Sequence, residues 1–244
     1  CIVHGAGRVL LQHLKELILH TDLTSEDTLF YYTTCSWMMW HWSVSALAVG
    51  ATLVLYEGSP AFPSAHSMFD LIDREQITIW GTSAKLISRL EKLKLRPCET
   101  HSLQSLRTIL STGSPLVKEH FIYVYEAIKK DLCLSSISGG TDIIACFALG
   151  NPMLPVFAGQ LQSIGLGMAV QIFDEKGQAI QHQAGELVCT QPFPSMPIYF
   201  WNDPDFEKYQ KAYFSHYPDL WHHGDFAELT QEEGLIIYGR SDAT

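Results

Sequence analysis

The sequence has no apolar run approaching the roughly 18 uninterrupted positions that a bilayer span requires. Its richest stretch, Trp37 to Gly50, is broken by His41, Ser43 and Ser45 and predicts a buried helix instead. Basic residues are few: 16 Lys and Arg against 26 Asp and Glu leave a formal net charge of −10. A nucleic-acid surface needs clustered cations, so that class of partner is not expected. The one small cluster, Lys92 to Arg96, reads as a solvated helix end. No C-x-x-C pair occurs among Cys1, Cys35, Cys98, Cys133, Cys146 and Cys189. Several of these lie in apolar, strand-like segments and behave as small hydrophobes of a reducing compartment, with the cytosol as the default. No internal repeat or low-complexity tract occurs, and neither end of the sequence resembles a signal peptide or a targeting tail.

What remains is the composition of an ordinary globular protein, 47% apolar and 17% charged, long enough for one large or two modest domains. The chain opens on Cys1-Ile-Val-His4 without a Met and stops at Arg240-Ser-Asp-Ala-Thr244 without a closing element, which suggests a piece of a longer protein. Helical spacing of Leu10, Leu14, Leu17 and Ile18 predicts a helix over 8–20. An extended run follows at 29–33, then the Trp-rich helix 37–49 capped at Gly50, and a strand at 51–56. Helices near 66–75, 84–94 and 117–130 alternate with strands at 77–80, 107–111 and 132–137. Such alternation implies crossovers and a parallel sheet.

After about residue 150 the pattern turns to short apolar alternations with polar turns, as in Met168 to Phe173, Glu186 to Thr190 and Leu235 to Tyr238. The expected fold class is α/β, a parallel-sheet layer with flanking helices followed by a β-rich, barrel-like module. The expected division is 1–150 for the α/β part and 151–240 for the β-rich part.

Four segments can carry chemistry. Ser111-Thr-Gly-Ser-Pro115 and Ser138-Gly-Gly-Thr-Asp142 follow strands, the usual site positions of α/β folds. Trp221-His-His-Gly-Asp225 lies in the β-rich part, and Tyr238-Gly-Arg-Ser-Asp242 closes the chain. Singly, each has a bland meaning: a Ser/Thr/Gly run is usually a turn, Asp225 a turn acid and Arg240 a surface cation. His222 and His223 lack a third ligand at zinc-like spacing. Together the four make a nucleotide set. Glycines bring backbone amides close to a phosphate or purine, a Thr beside an acid can hold a phosphate oxygen and Mg2+, another acid can accept both ribose hydroxyls, and an Arg can pair with phosphate.

In this order, Gly139-Gly-Thr-Asp142, Gly224-Asp225 and Tyr238-Gly-Arg-Ser-Asp242 resemble the signature of adenylate-forming acyl-CoA synthetases. Trp37 to Trp40, Ser43 to Tyr56, Gly81 to Lys85 and Ser136 to Ile143 look like that family's acetoacetate-activating branch, and the likeness covers essentially the whole chain. The resemblance implies an incomplete large N-terminal domain of an acid–thiol ligase. Its substrates would be acetoacetate, ATP and coenzyme A, with Mg2+, and its product would serve lipid synthesis. By the same resemblance Gly113, Ser114 and Pro115 would line the adenine, with Gly139 and Gly140 also at the nucleotide. Thr141 would contact the α-phosphate, Asp142 would help place Mg2+, and Asp225 would bind the ribose with Arg240 nearby. Thr141, Asp142 and Arg240 are the candidate catalytic residues. Asp242, in the stretch 241–244, would begin the hinge to a further domain.

Acetate-using relatives carry Trp where this chain has Gly139, so glycine is expected to open the acyl pocket, with Trp37 as another wall. The chain departs from the family pattern at Cys35-Ser36, His41 and Gln160. The phosphate-gripping loop would precede Cys1 and the adenylation Lys would follow Thr244. A competing reading is therefore a non-catalytic module that binds nucleotide or a partner. A dinucleotide oxidoreductase is disfavoured, because no G-x-G-x-x-G follows the first strand. Oligomeric state is not legible.

Overall fold

A computed structural model of the chain describes residues 1–241. A short strand, β1 (Ile2–Val3), leads into α1 (Ala6–Lys15), which continues as a wider π-helical turn through Glu16–His20. Next come β2 (Thr28–Tyr31), α2 (Met38–Val44) with a 3₁₀ extension Ser45–Val49, and β3 (Thr52–Val54). Gly50 closes that extension at φ +87°, the left-handed cap its position predicts. The alternation continues through α3 (Ser67–Arg74), β4 (Ile79–Ser83), α4 (Ala84–Lys92), α5 (Pro97–Thr100), β5 (Thr108–Thr112), α6 (Lys118–Tyr123) and β6 (Cys133–Ser136).

Strands β3-β2-β4-β5-β6 form one five-stranded sheet in that order, and every pair in it is parallel. Ile79, Trp80, Ile109 and Leu134 are buried completely, as expected of strands covered on both faces. On one face α3, α4 and α6 supply Met68, Ile72, Ile87, Leu90 and Phe121. The Ser83 hydroxyl starts α4 by accepting the Leu86 amide at 3.2 Å. On the other face Leu17, Met39 and Trp42 pack against Leu29, Ile79 and Leu110.

Beyond the parallel sheet all pairing among the described residues is antiparallel. A three-stranded sheet joins β7 (Ser138–Gly140), β8 (Ala145–Leu149) and β9 (Ser163–Ile164). A second five-stranded sheet follows, made of β10 (Val170–Phe173), β11 (Ala179–Ile180), β12 (Gly185–Cys189), β14 (Trp221–Leu229) and β15 (Leu235–Arg240), in the order β11-β10-β12-β14-β15. The remaining strand, β13 (Tyr199–Phe200), pairs with β1, and α7 (Glu207–Tyr213) packs on this half. The mixed α/β architecture agrees with the sequence expectation. One local difference concerns Ser138–Gly140, expected as the start of a turn and found as a strand. The fully buried β8 offers it a ladder to join. Among the described residues no helix is long and apolar enough to cross a membrane.

Candidate active site

A cavity of about 400 Å³ opens at the carboxyl ends of β5 and β6. Its floor is Thr112-Gly-Ser-Pro115 and Ser136 to Thr141, one wall is Trp37 to Met39, and another is Asp225, Gly239 and Arg240 from the antiparallel half. The floor is pinned locally. The Thr112 hydroxyl donates to the Ile137 carbonyl at 2.8 Å, and the Ile137 amide donates to the Ser111 carbonyl at 2.8 Å. Two adjacent strand ends are thereby fixed, and Gly113 turns out of β5 at φ +89°.

Backbone close approach explains the paired glycines. Gly139 lies opposite Cys146 across a β-bulge. A Cβ added at Gly139 would fall 2.0 Å from the Ala145 carbonyl oxygen and 2.8 Å from the Cys146 Cα. A tryptophan at 139 therefore requires a different pairing of β7 with β8, not merely a filled pocket. Behind β8 sits Glu16, fully buried, whose carboxylate accepts the Cys146 amide at 3.1 Å and the Trp42 indole at 2.9 Å. Sequence reading passed over Glu16. No sequence signal marked it, because Glu16 lies away from the Leu10, Leu14, Leu17 and Ile18 stripe, whereas the helix buries Gln12, His13, Glu16, Leu17 and His20 and leaves Leu10 and Ile18 exposed.

On β14 the period of two puts Trp221, His223 and Asp225 on one face. Asp225 is 6% exposed and stands in register with Arg240, whose Nη1 donates to Asp225 Oδ1 at 3.3 Å. His223 Nε2 lies 3.8 Å from Asp225 Oδ2. Burial lowers the His223 pKa below its ordinary value, outweighing the opposing pull of Asp225 and Asp142. His222, on the other face, pairs with Glu186 at 2.8 Å. No group of three His, Cys, Asp or Glu residues able to hold a metal occurs among the described residues.

The structure brings Trp37, Gly113, Ser114, Pro115, Gly139, Gly140, Thr141, Asp225 and Arg240 to this one cavity. Asp142 faces an adjoining cavity of about 670 Å³ with Tyr213, His222, His223 and Gly224, and Arg240 borders both. Asp142 Oδ1 accepts the Tyr213 hydroxyl at 2.5 Å. Burial and the Asp142 charge push the Tyr213 phenol up, so it stays a donor. No sequence signal marked Tyr213, because it reaches the loop from α7. The hinge expectation at Asp242 lies outside the described residues. Chemically, the cavity offers backbone amides and a hydroxyl for phosphate, a carboxylate for a diol, and a guanidinium for negative charge.

A family model described as "AMP-binding enzyme" matches residues 3–200. The acetoacetyl-coenzyme A synthetase of Rhizobium meliloti (strain 1021) is 55% identical over 244 residues, which is 100% of this chain and 38% of that protein. The acetoacetyl-CoA synthetase of Mus musculus is 54% identical over 245 residues, covering 100% of this chain and 36% of its own length. Among solved structures, the acetoacetyl-CoA synthetase from Streptomyces lividans superposes with a TM-score of 0.94 at 43% identity, covering 99% of this chain and 38% of that one. The chain thus spans a little over a third of the length of the relatives it matches.

Proposed function

The chain belongs to the AMP-binding enzyme family, and from that premise we propose that it carries the nucleotide and acyl site of a cytosolic acetoacetate–CoA ligase. In this reading the acetoacetate carboxylate attacks the α-phosphate of ATP. A C(O)O–P bond forms, the bond from that phosphorus to the bridging oxygen breaks, and pyrophosphate leaves. The coenzyme A thiol, losing its proton, then attacks the activated carbonyl. A C–S bond forms and AMP leaves with the electron pair of the broken C–O bond. The product feeds lipid synthesis.

The observation that carries this reading is the meeting of Gly113–Pro115, Gly139–Thr141, Asp225 and Arg240 around one cavity. Gly113–Pro115 would hold the adenine, and the buried Asp225 carboxylate would accept both ribose hydroxyls. The exposed Thr141 hydroxyl and the Arg240 guanidinium would meet charge developing at the α-phosphate. Trp37, edge-on to Tyr31 with ring centroids 5.8 Å apart, would close the acyl side.

Mg2+ fits as an ion carried by the nucleotide. It prefers one or two carboxylates plus phosphates and waters, and Asp142 is a single carboxylate with one oxygen already accepting from Tyr213. Asp142 would hold it, and when bound it would neutralise phosphate charge.

The test is a thermal-shift titration with a non-hydrolysable acetoacetyl-adenylate mimic, compared with AMP. Stabilisation by the mimic beyond that by AMP is expected. A cooperative melt that neither ligand moves would refute this reading and favour a module without a working site.

A further inference from the structure

We propose that His223 is a positioning residue: as its Nε2–H tautomer it fixes the Gly139–Gly140 wall of the cavity against Asp225. The inference rests on the nucleotide-site reading above and adds a residue to it. The imidazole side chain is 2% exposed. It meets the Phe147 ring at a centroid distance of 4.7 Å, tilted by 68°, on β8. Near β7, a Cβ placed on Gly140 would come within 3.1 Å of Cε1 and 3.3 Å of Nε2. The ring thus occupies the space that any side chain at 140 would need, which gives the second glycine of the pair a reason distinct from the first.

The tautomer follows from donor bookkeeping. The Trp221 indole N–H can only donate, and it points at Nδ1 of His223 from 3.4 Å. Nδ1 must present a lone pair, so in the neutral ring the proton sits on Nε2. That edge faces Asp225 Oδ2 at 3.8 Å and the backbone of Gly140, whose added Cβ would stand 3.3 Å from Nε2. Protonating the ring would set an Nδ1–H against the indole N–H, and Arg240 adds like charge from β15.

Trp221 is itself held. It stacks on Tyr213 with centroids 3.8 Å apart at 15°, and Tyr213 donates to Asp142. An unbroken line of contacts therefore runs Asp142, Tyr213, Trp221, His223, Asp225. It ties the loop carrying Thr141 and Asp142 to the acid on β14. The spacing between phosphate and ribose contacts is set through the imidazole.

Two substitutions separate positioning from mere packing. His223→Gln keeps a donor near the Nε2 position, whereas His223→Asn keeps an amide only near Nδ1. Two-bond ¹⁵N–¹H correlation of the ring, Gly139 and Gly140 amide resonances, and calorimetric AMP affinity are the readouts. The expected result is a bare Nδ1 and a protonated Nε2 in the unmodified chain, with that preference lost in Trp221→Phe. His223→Asn should displace both glycine amides and weaken AMP about tenfold, while His223→Gln stays within about threefold, at similar melting temperatures. An Nδ1–H tautomer, or a Gln variant as impaired as the Asn variant, would overturn the proposal. Absence of AMP binding in the unmodified chain would refute the nucleotide reading alone, and the tautomer and glycine amides would still decide the positioning.

Discussion

Two aspartate–arginine pairs lie towards opposite ends of the parallel strands, and they differ in what surrounds them. At the amino-terminal edge of the parallel sheet, Asp27 precedes β2 and Arg107 precedes β5. Arg107 donates to Asp27 from Nε at 3.0 Å and Nη2 at 2.8 Å. Thr78 donates its hydroxyl to the same carboxylate at 2.7 Å and Thr24 its amide at 2.8 Å. Burial pushes the Asp27 carboxyl up, but these hydrogen bonds outweigh it and hold the pKa at about 2. At the carboxyl-terminal edge, Asp225 and Arg240 meet at 3.3 Å and both line the cavity. The first pair is wrapped in protein donors and ties strands together. The second faces space in which a ligand's groups can compete for it. The same two residue types join strand ends in one place and line a cavity in the other.

The largest effect expected is on binding at the second pair. Asp225→Ala should weaken AMP by at least 100-fold, since two charge-assisted hydrogen bonds are worth about 1.5–3 kcal/mol each. Calorimetry checks this, and an unchanged affinity would remove Asp225 from the site. The reciprocal change, Arg107→Ala, should cost about 2–3 kcal/mol of folding stability and leave AMP affinity alone, because it strands a carboxylate that is largely buried. Denaturant melts together with AMP titrations would show whether the two effects separate as the contrast between the pairs demands.

Acid sharpens the contrast further. The folded pKa of Asp27, about 2, lies below its ordinary value of 3.8. Its contribution is therefore complete above about pH 4 and is lost as pH falls towards 2. After allowance for solvent around Arg107, that step is about 1–2 kcal/mol, and it should largely vanish in Arg107→Ala. Urea melts across that range would reveal it. The smallest effect is expected from Tyr213→Phe, which removes one donor from Asp142. AMP binding without Mg2+ should change less than threefold, and the apparent Mg2+ dependence of ATP binding should shift by about three- to tenfold. Equal losses with and without Mg2+ would show that Tyr213 serves packing only.

Much of the site was legible in the sequence because its elements are local. Strand-then-glycine segments such as Ser111 to Pro115 announce themselves through turn chemistry, and Asp225 and Arg240 stood out through the family resemblance of Gly224-Asp225 and Tyr238 to Asp242. Tyr213 and Glu16 carried no sequence signal, and His223, inside the segment Trp221 to Asp225, was weighed only as a metal ligand. Tyr213 reaches Asp142 across 71 positions and Glu16 reaches Cys146 across 130, and nothing in a local pattern records such distances. Gly139 gained a second reason: beside the opened acyl pocket expected from sequence, a β8 carbonyl stands where a Cβ would be.

Periodicity and turn residues, read alone, determined that a parallel α/β layer precedes a β-rich part, since apolar spacing and glycine placement act within a few residues of themselves. Which aspartate lines a cavity and which is held among strand-end donors was decided only by tertiary structure. Burial and hydrogen-bond partners come from segments that meet only after folding, and those partners, not the residue type, set what a carboxylate can do.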